Sequence, residues 1–272
     1  MLLLLHFIYK KLTLANINFY LFFYYDIINL GDFMKIKIQD IDINYIQYGE
    51  GKDIILLHGW GQNIAMMRPI GDYLADRFRI TILDLPGFGE SEEPHEAWTI
   101  EKYSLMLEKF AEMLEIKKPI IMGHSFGGRV AIRFSARNPI EKLVLFGSPC
   151  IRIEEELPFT VKILKKLKTL PGLDKFGEYM KKYIGSRDYK AASPIMRETL
   201  VNVVNEDLSK FAHEIEEPTL LIWGDNDTEA PVSDAKELEK IMIDAGLIIL
   251  PGTHYAYLEN LPQIINILNK FL

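Results

Sequence analysis

Short runs of β-branched and leucine residues recur along the chain, separated by stretches whose apolar residues return every three or four positions. The short runs predict strands over 35–38, 43–48, 54–58, 79–83, 119–122, 143–146, 219–223 and 247–250. Several are apolar at nearly every position, the pattern of strands covered on both faces. The longer stretches predict helices over 66–75, 100–115, 126–137, 233–244 and 262–272. In the second of these, Tyr103, Leu107, Phe110, Ala111 and Leu114 mark one face. Strand and helix alternating through short connections predict an α/β fold, a mostly parallel sheet with helices on both faces. The first two strands follow each other without a helix and are expected to form an antiparallel edge.

Two segments depart from this rhythm. Residues 150–217 contain no convincing strand; helical stretches are expected at 159–170, 175–184 and 193–211, punctuated by Pro158, Pro171-Gly172 and Pro194. An insertion of that size is more than a loop and is expected to form a helical cap over one end of the sheet. Residues 34–149 and 218–272 are then the core. Residues 1–33 are rich in apolar side chains, but Lys10, Lys11, Asn16 and Asn18 interrupt them. They fit neither the length of a membrane span nor the flanks of a signal peptide. Three readings compete: translation beginning at Met34, a membrane-associated leader, and an extra helix packed on the domain. The first is favoured, with a cytoplasmic location; membrane association follows only if the leader is retained.

The strongest chemical motif is Gly123-His124-Ser125-Phe126-Gly127, between an apolar strand and a helix. G-x-S-x-G in that context holds a serine on a strained turn with its hydroxyl above the sheet edge. A serine hydroxyl is a weak nucleophile near neutral pH, so it needs a base, and the base an orienting acid. Both follow at strand ends: Asp225-Asn226-Asp227 after Trp223-Gly224, and His254 after Gly252-Thr253. Of the six histidines, His254 is expected to be the base. His58 is expected to brace its loop, and His124 to face away from the serine. Asp227, further out along its loop, is favoured as the acid over Asp225. The tetrahedral intermediate needs two backbone N–H donors. Phe126, which follows the serine, and Trp60, in His58-Gly59-Trp60-Gly61, are the candidates.

Composition narrows the partners. The 272 residues carry 31 Lys and Arg against 38 Asp and Glu, a net charge of −7, which argues against general nucleic-acid binding. A single cysteine, Cys150, excludes an internal disulfide and a cysteine-built zinc site. No His-Glu-x-x-His or comparable metal-ligand cluster appears in the chain.

Residues 34–272 resemble the α/β-hydrolase superfamily, cap included. The likeness rests on His58-Gly59-Trp60-Gly61, Asp84-Leu85-Pro86-Gly87-Phe88-Gly89-Glu90-Ser91, the serine motif with Gly128, Trp223-Gly224-Asp225-Asn226-Asp227 and Gly252-Thr253-His254. The resemblance implies an eight-stranded sheet, a Ser–His–Asp triad and no cofactor. It puts the acid at the end of a Gly-x-x-Asp run, matching Gly224 to Asp227, and gives Asp84 a structural, loop-anchoring role. Relatives that attack alkyl carbon carry aspartate at the elbow; Ser125 points instead to acyl transfer to water.

The expected substrate is a carboxylic ester with a small, largely apolar acyl group. Trp60, Phe126, Met66 and Phe159 are candidate pocket-liners, with Met67 and Tyr179 also considered. A C–C hydrolase or enol-lactonase would use the same triad, and a non-catalytic receptor on this fold is the alternative of another class. The His-Gly-Trp-Gly loop, the Asp-Leu-Pro-Gly-Phe-Gly loop and Ser148-Pro149-Cys150 are also similar to pimeloyl-carrier-protein methyl ester esterases. Lys162, Lys165, Lys166 and Lys168 could attract an acidic acyl carrier protein, though a solvated helix face explains them more simply.

Overall fold

The computed structural model describes residues 32–151 and 192–272. Eight strands form one sheet: β1 (Met34–Ile38), β2 (Ile41–Tyr48), β3 (Lys52–Leu57), β4 (Phe78–Leu83), β5 (Ile120–His124), β6 (Lys142–Phe146), β7 (Thr219–Gly224) and β8 (Ala245–Leu250). Their spatial order is β1-β2-β4-β3-β5-β6-β7-β8. β1 pairs antiparallel with β2, and β2 with β4; every other pair is parallel. The expected antiparallel edge is therefore present, and all eight predicted strands exist with shifted ends.

The described helices are α1 (Ile64–Leu74), α2 (Ile100–Met113), α3 (Phe126–Ser135), α4 (Pro194–Asn205), α5 (Ser209–His213), α6 (Val232–Ile241), α7 (Ala256–Glu259) and α8 (Leu261–Phe271). The sheet separates two apolar cores. Ile55 and Leu57 of β3 face one core with Tyr103, Phe110, Val130 and Leu238, from α2, α3 and α6. Ile54 and Leu56 face the other with Ile70 and Leu74 of α1 and Ile264 and Leu268 of α8. Period-two alternation in the strand thus sends neighbours into opposite layers. Among the described residues no helix is long and apolar enough to cross a membrane.

Two expectations need correction here. The predicted helix over 193–211 is split into α4 and α5. Glu206 turns extended (φ −76°, ψ 126°), and Asp207 Oδ1 accepts the Ser209 N–H at 2.9 Å, restarting the chain as a separate short helix. The short helix α7 was not predicted; four residues are too few to show a helical period. The expected helices over 159–170 and 175–184, with Phe159, Tyr179 and Lys162 to Lys168, lie outside the described residues, as does the leader up to residue 31.

Strand order fixes where a site can form. From β3 the chain runs outward to β4, then returns to β5 on the other side of β3. In open sheets of this kind ligands bind outside the carboxyl ends of the strands, where the order reverses in this way. Register brings the ends of β3, β5, β6, β7 and β8 to one edge: Leu57 pairs with Gly123, His124 with Phe146, Phe146 with Ile222, and Gly224 with Leu250.

Candidate active site

Ser125 sits between β5 and α3 with φ 49° and ψ −114°, a left-handed conformation that costs a non-glycine residue about 1–3 kcal/mol. Its own N–H donates to the Phe146 carbonyl at 2.9 Å, and its carbonyl accepts from Gly128 and Arg129. Its side chain makes no capping bond to α3, so the hydroxyl is left out of the helix's own hydrogen bonding. A β-carbon on Gly128 would lie 1.9 Å from Ser148 Oγ, and one on Gly123 would lie 2.5 Å from the Gly128 backbone. The turn closes because both positions lack side chains.

His254 and Asp227 are buried and meet at 2.8 Å, Nδ1 to Oδ2. A carboxylate only accepts, so Nδ1 carries the proton and Nε2 presents a lone pair. Asp227 is itself fixed, with Oδ1 accepting the N–H groups of Glu229 at 2.9 Å and Ala230 at 2.8 Å. The loops after β7 and β8 are tied together. Asn226 N donates to Gly252 O at 2.9 Å, Gly252 N donates to Asp225 Oδ1 at 3.0 Å, and Glu259 accepts from Thr253 N and Oγ1. Asp225 therefore holds the histidine loop, whereas Asp227 reaches the ring. Gly147, at φ 49°, lies against the pair; a β-carbon there would be 3.2 Å from both Asp227 Oδ2 and His254 Nδ1.

Three further polar groups brace this edge. His58 Nε2 accepts the Leu85 N–H at 2.9 Å and Nδ1 donates to Gly59 O at 2.7 Å, so it braces its loop as expected. Burial lowers its pKa and keeps the ring neutral. His124 is fully enclosed, with its ring against those of His254, Tyr255 and Tyr257. Burial first, then the neighbouring His254, push its pKa down to about 3. The His254 carbonyl at 3.0 Å and Gln62 Oε1 at 3.2 Å compete for its single proton. Gln62 also accepts the Gly59 N–H and donates to Tyr255 Oη, linking the loop after β3 to the histidine loop. Asp84 is a buried anchor: it accepts from Asn44 Nδ2, from Ile64 N at the start of α1, and from Glu90 N.

Phe126 is the first residue of α3, where a helix leaves N–H groups without internal partners. Trp60 packs its ring 5.3 Å from that of Phe126 and 4.8 Å from that of Phe88. Tyr103 closes the group 4.9 Å behind Phe126. The Phe126 ring is thus a buried wall, while Trp60 and Met66 remain half-exposed. Met67 is not a pocket-liner; it is wholly buried in the core beneath α1, one residue along the helix from Met66 and on its other face. Among the described residues Ser125 Oγ makes no hydrogen bond to His254. The Nε2 of that ring lies instead 3.7 Å from Glu229 Oε2, a neighbour the sequence reading did not single out.

The family described as alpha/beta hydrolase fold matches residues 53–171. The AB hydrolase superfamily protein YisY of Bacillus subtilis (strain 168) is 26% identical over 276 residues, covering 89% of this chain and 99% of that protein. A pimeloyl-[acyl-carrier protein] methyl ester esterase of Nitrosospira multiformis is 29% identical over 238 residues, covering 78% of this chain and 90% of that protein. The enol-lactonase from Burkholderia xenovorans LB400 superposes with a TM-score of 0.69 at 22% identity, covering 88% of this chain and 99% of that one. Strand order, the serine turn and the sequence match give this chain the α/β-hydrolase fold.

Proposed function

We propose that the protein is a serine hydrolase that cleaves a carboxylic ester of a small, largely apolar substrate through an acyl-enzyme on Ser125. One observation carries this: a left-handed serine at the β5–α3 turn stands at the same sheet edge as a buried His254–Asp227 pair whose tautomer leaves Nε2 free to take a proton. In the first half-reaction Ser125 Oγ adds to the carbonyl carbon while its proton passes to His254 Nε2. Asp227 stabilises the resulting imidazolium, and the N–H groups of Phe126 and Trp60 receive the oxyanion. Collapse expels the alkoxide, which takes the proton from His254. In the second half, water gives its proton to His254 and attacks the acyl carbon. Ser125 leaves, reprotonated, and the acid is released.

The test is intact-mass spectrometry after a fluorophosphonate probe. One adduct, lost in Ser125→Ala together with at least a 1,000-fold drop in ester turnover, is the expected result. Folded protein with no adduct and no turnover would favour a ligand-binding role for the fold. The 29%-identical pimeloyl-carrier esterase supports a narrower second reading, a carrier-linked methyl ester. Turnover of a methyl-ester acyl carrier protein in preference to the free methyl ester would establish it.

A further inference from the structure

The loops that carry Asp227 and His254, residues 225–231 and 251–260, contain four acids and no lysine or arginine. Three acids are engaged within those loops. Asp227 holds the His254 ring, Asp225 holds Gly252 N, and Glu259 holds Thr253. The fourth, Glu229, differs. Among the described residues its carboxylate meets only His254, at 3.7 Å from Nε2, the nitrogen Asp227 leaves open. Its placement is not accidental to the loop. Asp227 Oδ1 holds the Glu229 N–H at 2.9 Å, so the carboxylate that orients the imidazole also sets where Glu229 begins. The His254 side chain is 5% exposed and that of Glu229 is 64% exposed. Glu229 therefore lies on the solvent side of the ring, beside the nitrogen that would exchange protons with Ser125 and substrate.

We propose that Glu229 is the specificity-determining charge of this site: it disfavours substrates with an anion close to the reacting carbonyl and admits neutral or cationic ones. The proposal rests on Ser125 being the nucleophile. A fixed negative charge a few ångströms from the reacting atoms repels a substrate carboxylate and attracts a substrate ammonium. Screening at an exposed position limits the effect to about tenfold in relative kcat/KM.

The experiment compares methyl butanoate, monomethyl succinate and the trimethylammonium analogue of methyl butanoate in wild type, Glu229→Gln and Glu229→Lys. The readout is the ratio of kcat/KM for the charged esters to that for the neutral one, since either rate alone also reports changes around His254. Wild type is expected to rank cationic above anionic. Glu229→Gln should raise the succinate-to-butanoate ratio about tenfold, and Glu229→Lys should invert the ranking of the two charged esters. Ratios that stay put in both variants would overturn the proposal. A second arm measures binding of the same three esters by calorimetry in Ser125→Ala, with and without Glu229→Gln. If wild type hydrolyses none of the esters but their binding order moves with Glu229→Gln, the ester chemistry falls and the charge selection stands. If the binding order does not move either, the charge selection falls whatever the chemistry.

Discussion

At Ser125, Asp227 and His254, a few dihedral angles and one 2.8 Å contact decide what the edge of the sheet can do. The two acids on one loop offer a clear contrast. Asp227→Asn removes the acceptor that fixes the His254 tautomer, and kcat should fall by about 10³–10⁴-fold with little change in KM. Asp225→Asn keeps an oxygen for Gly252 N, so its loss should stay below about tenfold. Steady-state kinetics on one neutral ester measures both. Chain order and strand ends made Ser125, Asp227 and His254 legible in the sequence as candidates, and the structure brings them to one sheet edge. Gly147 and Glu229 were not, because their importance arises only when loops from β6, β7 and β8 come together. Nothing in the local sequence of either residue records that meeting.

The next scale is the strand–turn–helix unit. Gly128→Ala would drive a methyl into Ser148, and repacking of that kind costs roughly 1–3 kcal/mol. Urea denaturation should show a lowered midpoint with an unchanged slope. The neutral histidines that end β5 and follow β3 give the fold a pH dependence with a definite sign. His124 titrates at about 3 when folded, against 6.5 as a free side chain, and burial shifts His58 the same way. Below pH 6.5 the unfolded chain binds protons that the folded chain refuses. Their contribution is thus complete above that pH and lost as pH falls toward 3. Unfolding free energy measured from pH 7 to pH 4 should decline. In His124→Asn the decline should be shallower by up to about 1.4 kcal/mol per pH unit. Element identity was readable from hydrophobic period, whereas element ends were not. Residue 58 was expected to close a strand, yet β3 stops at Leu57 and His58 spends its ring on Leu85 and Gly59. The break between α4 and α5 has no proline or glycine to announce it; an Asp207 side chain makes it.

Across the whole molecule, the mostly parallel sheet and its antiparallel edge followed from alternation of strand and helix, but the strand order and the attachment of the insertion did not. Arg129 of α3 is buried, and its guanidinium donates to the carbonyls of Pro149, just before the insertion, and Glu206, within it. Burial lowers its pKa, and no carboxylate pairs with it among the described residues. Arg129→Met would leave both carbonyls without that donor and should cost about 2–3 kcal/mol in urea unfolding. Beside it, Leu208 N donates to Cys150 O at 2.9 Å. Residues 151–207 therefore begin and end at one point beside α3. The two ends of that segment are held together whatever the number of residues between them. The entropy of closing such a segment grows only with the logarithm of its length, about 0.6 kcal/mol per doubling. The segment between those two positions can then be lengthened, shortened or exchanged by inheritance while the serine, the histidine and the strands beneath them stay where they are.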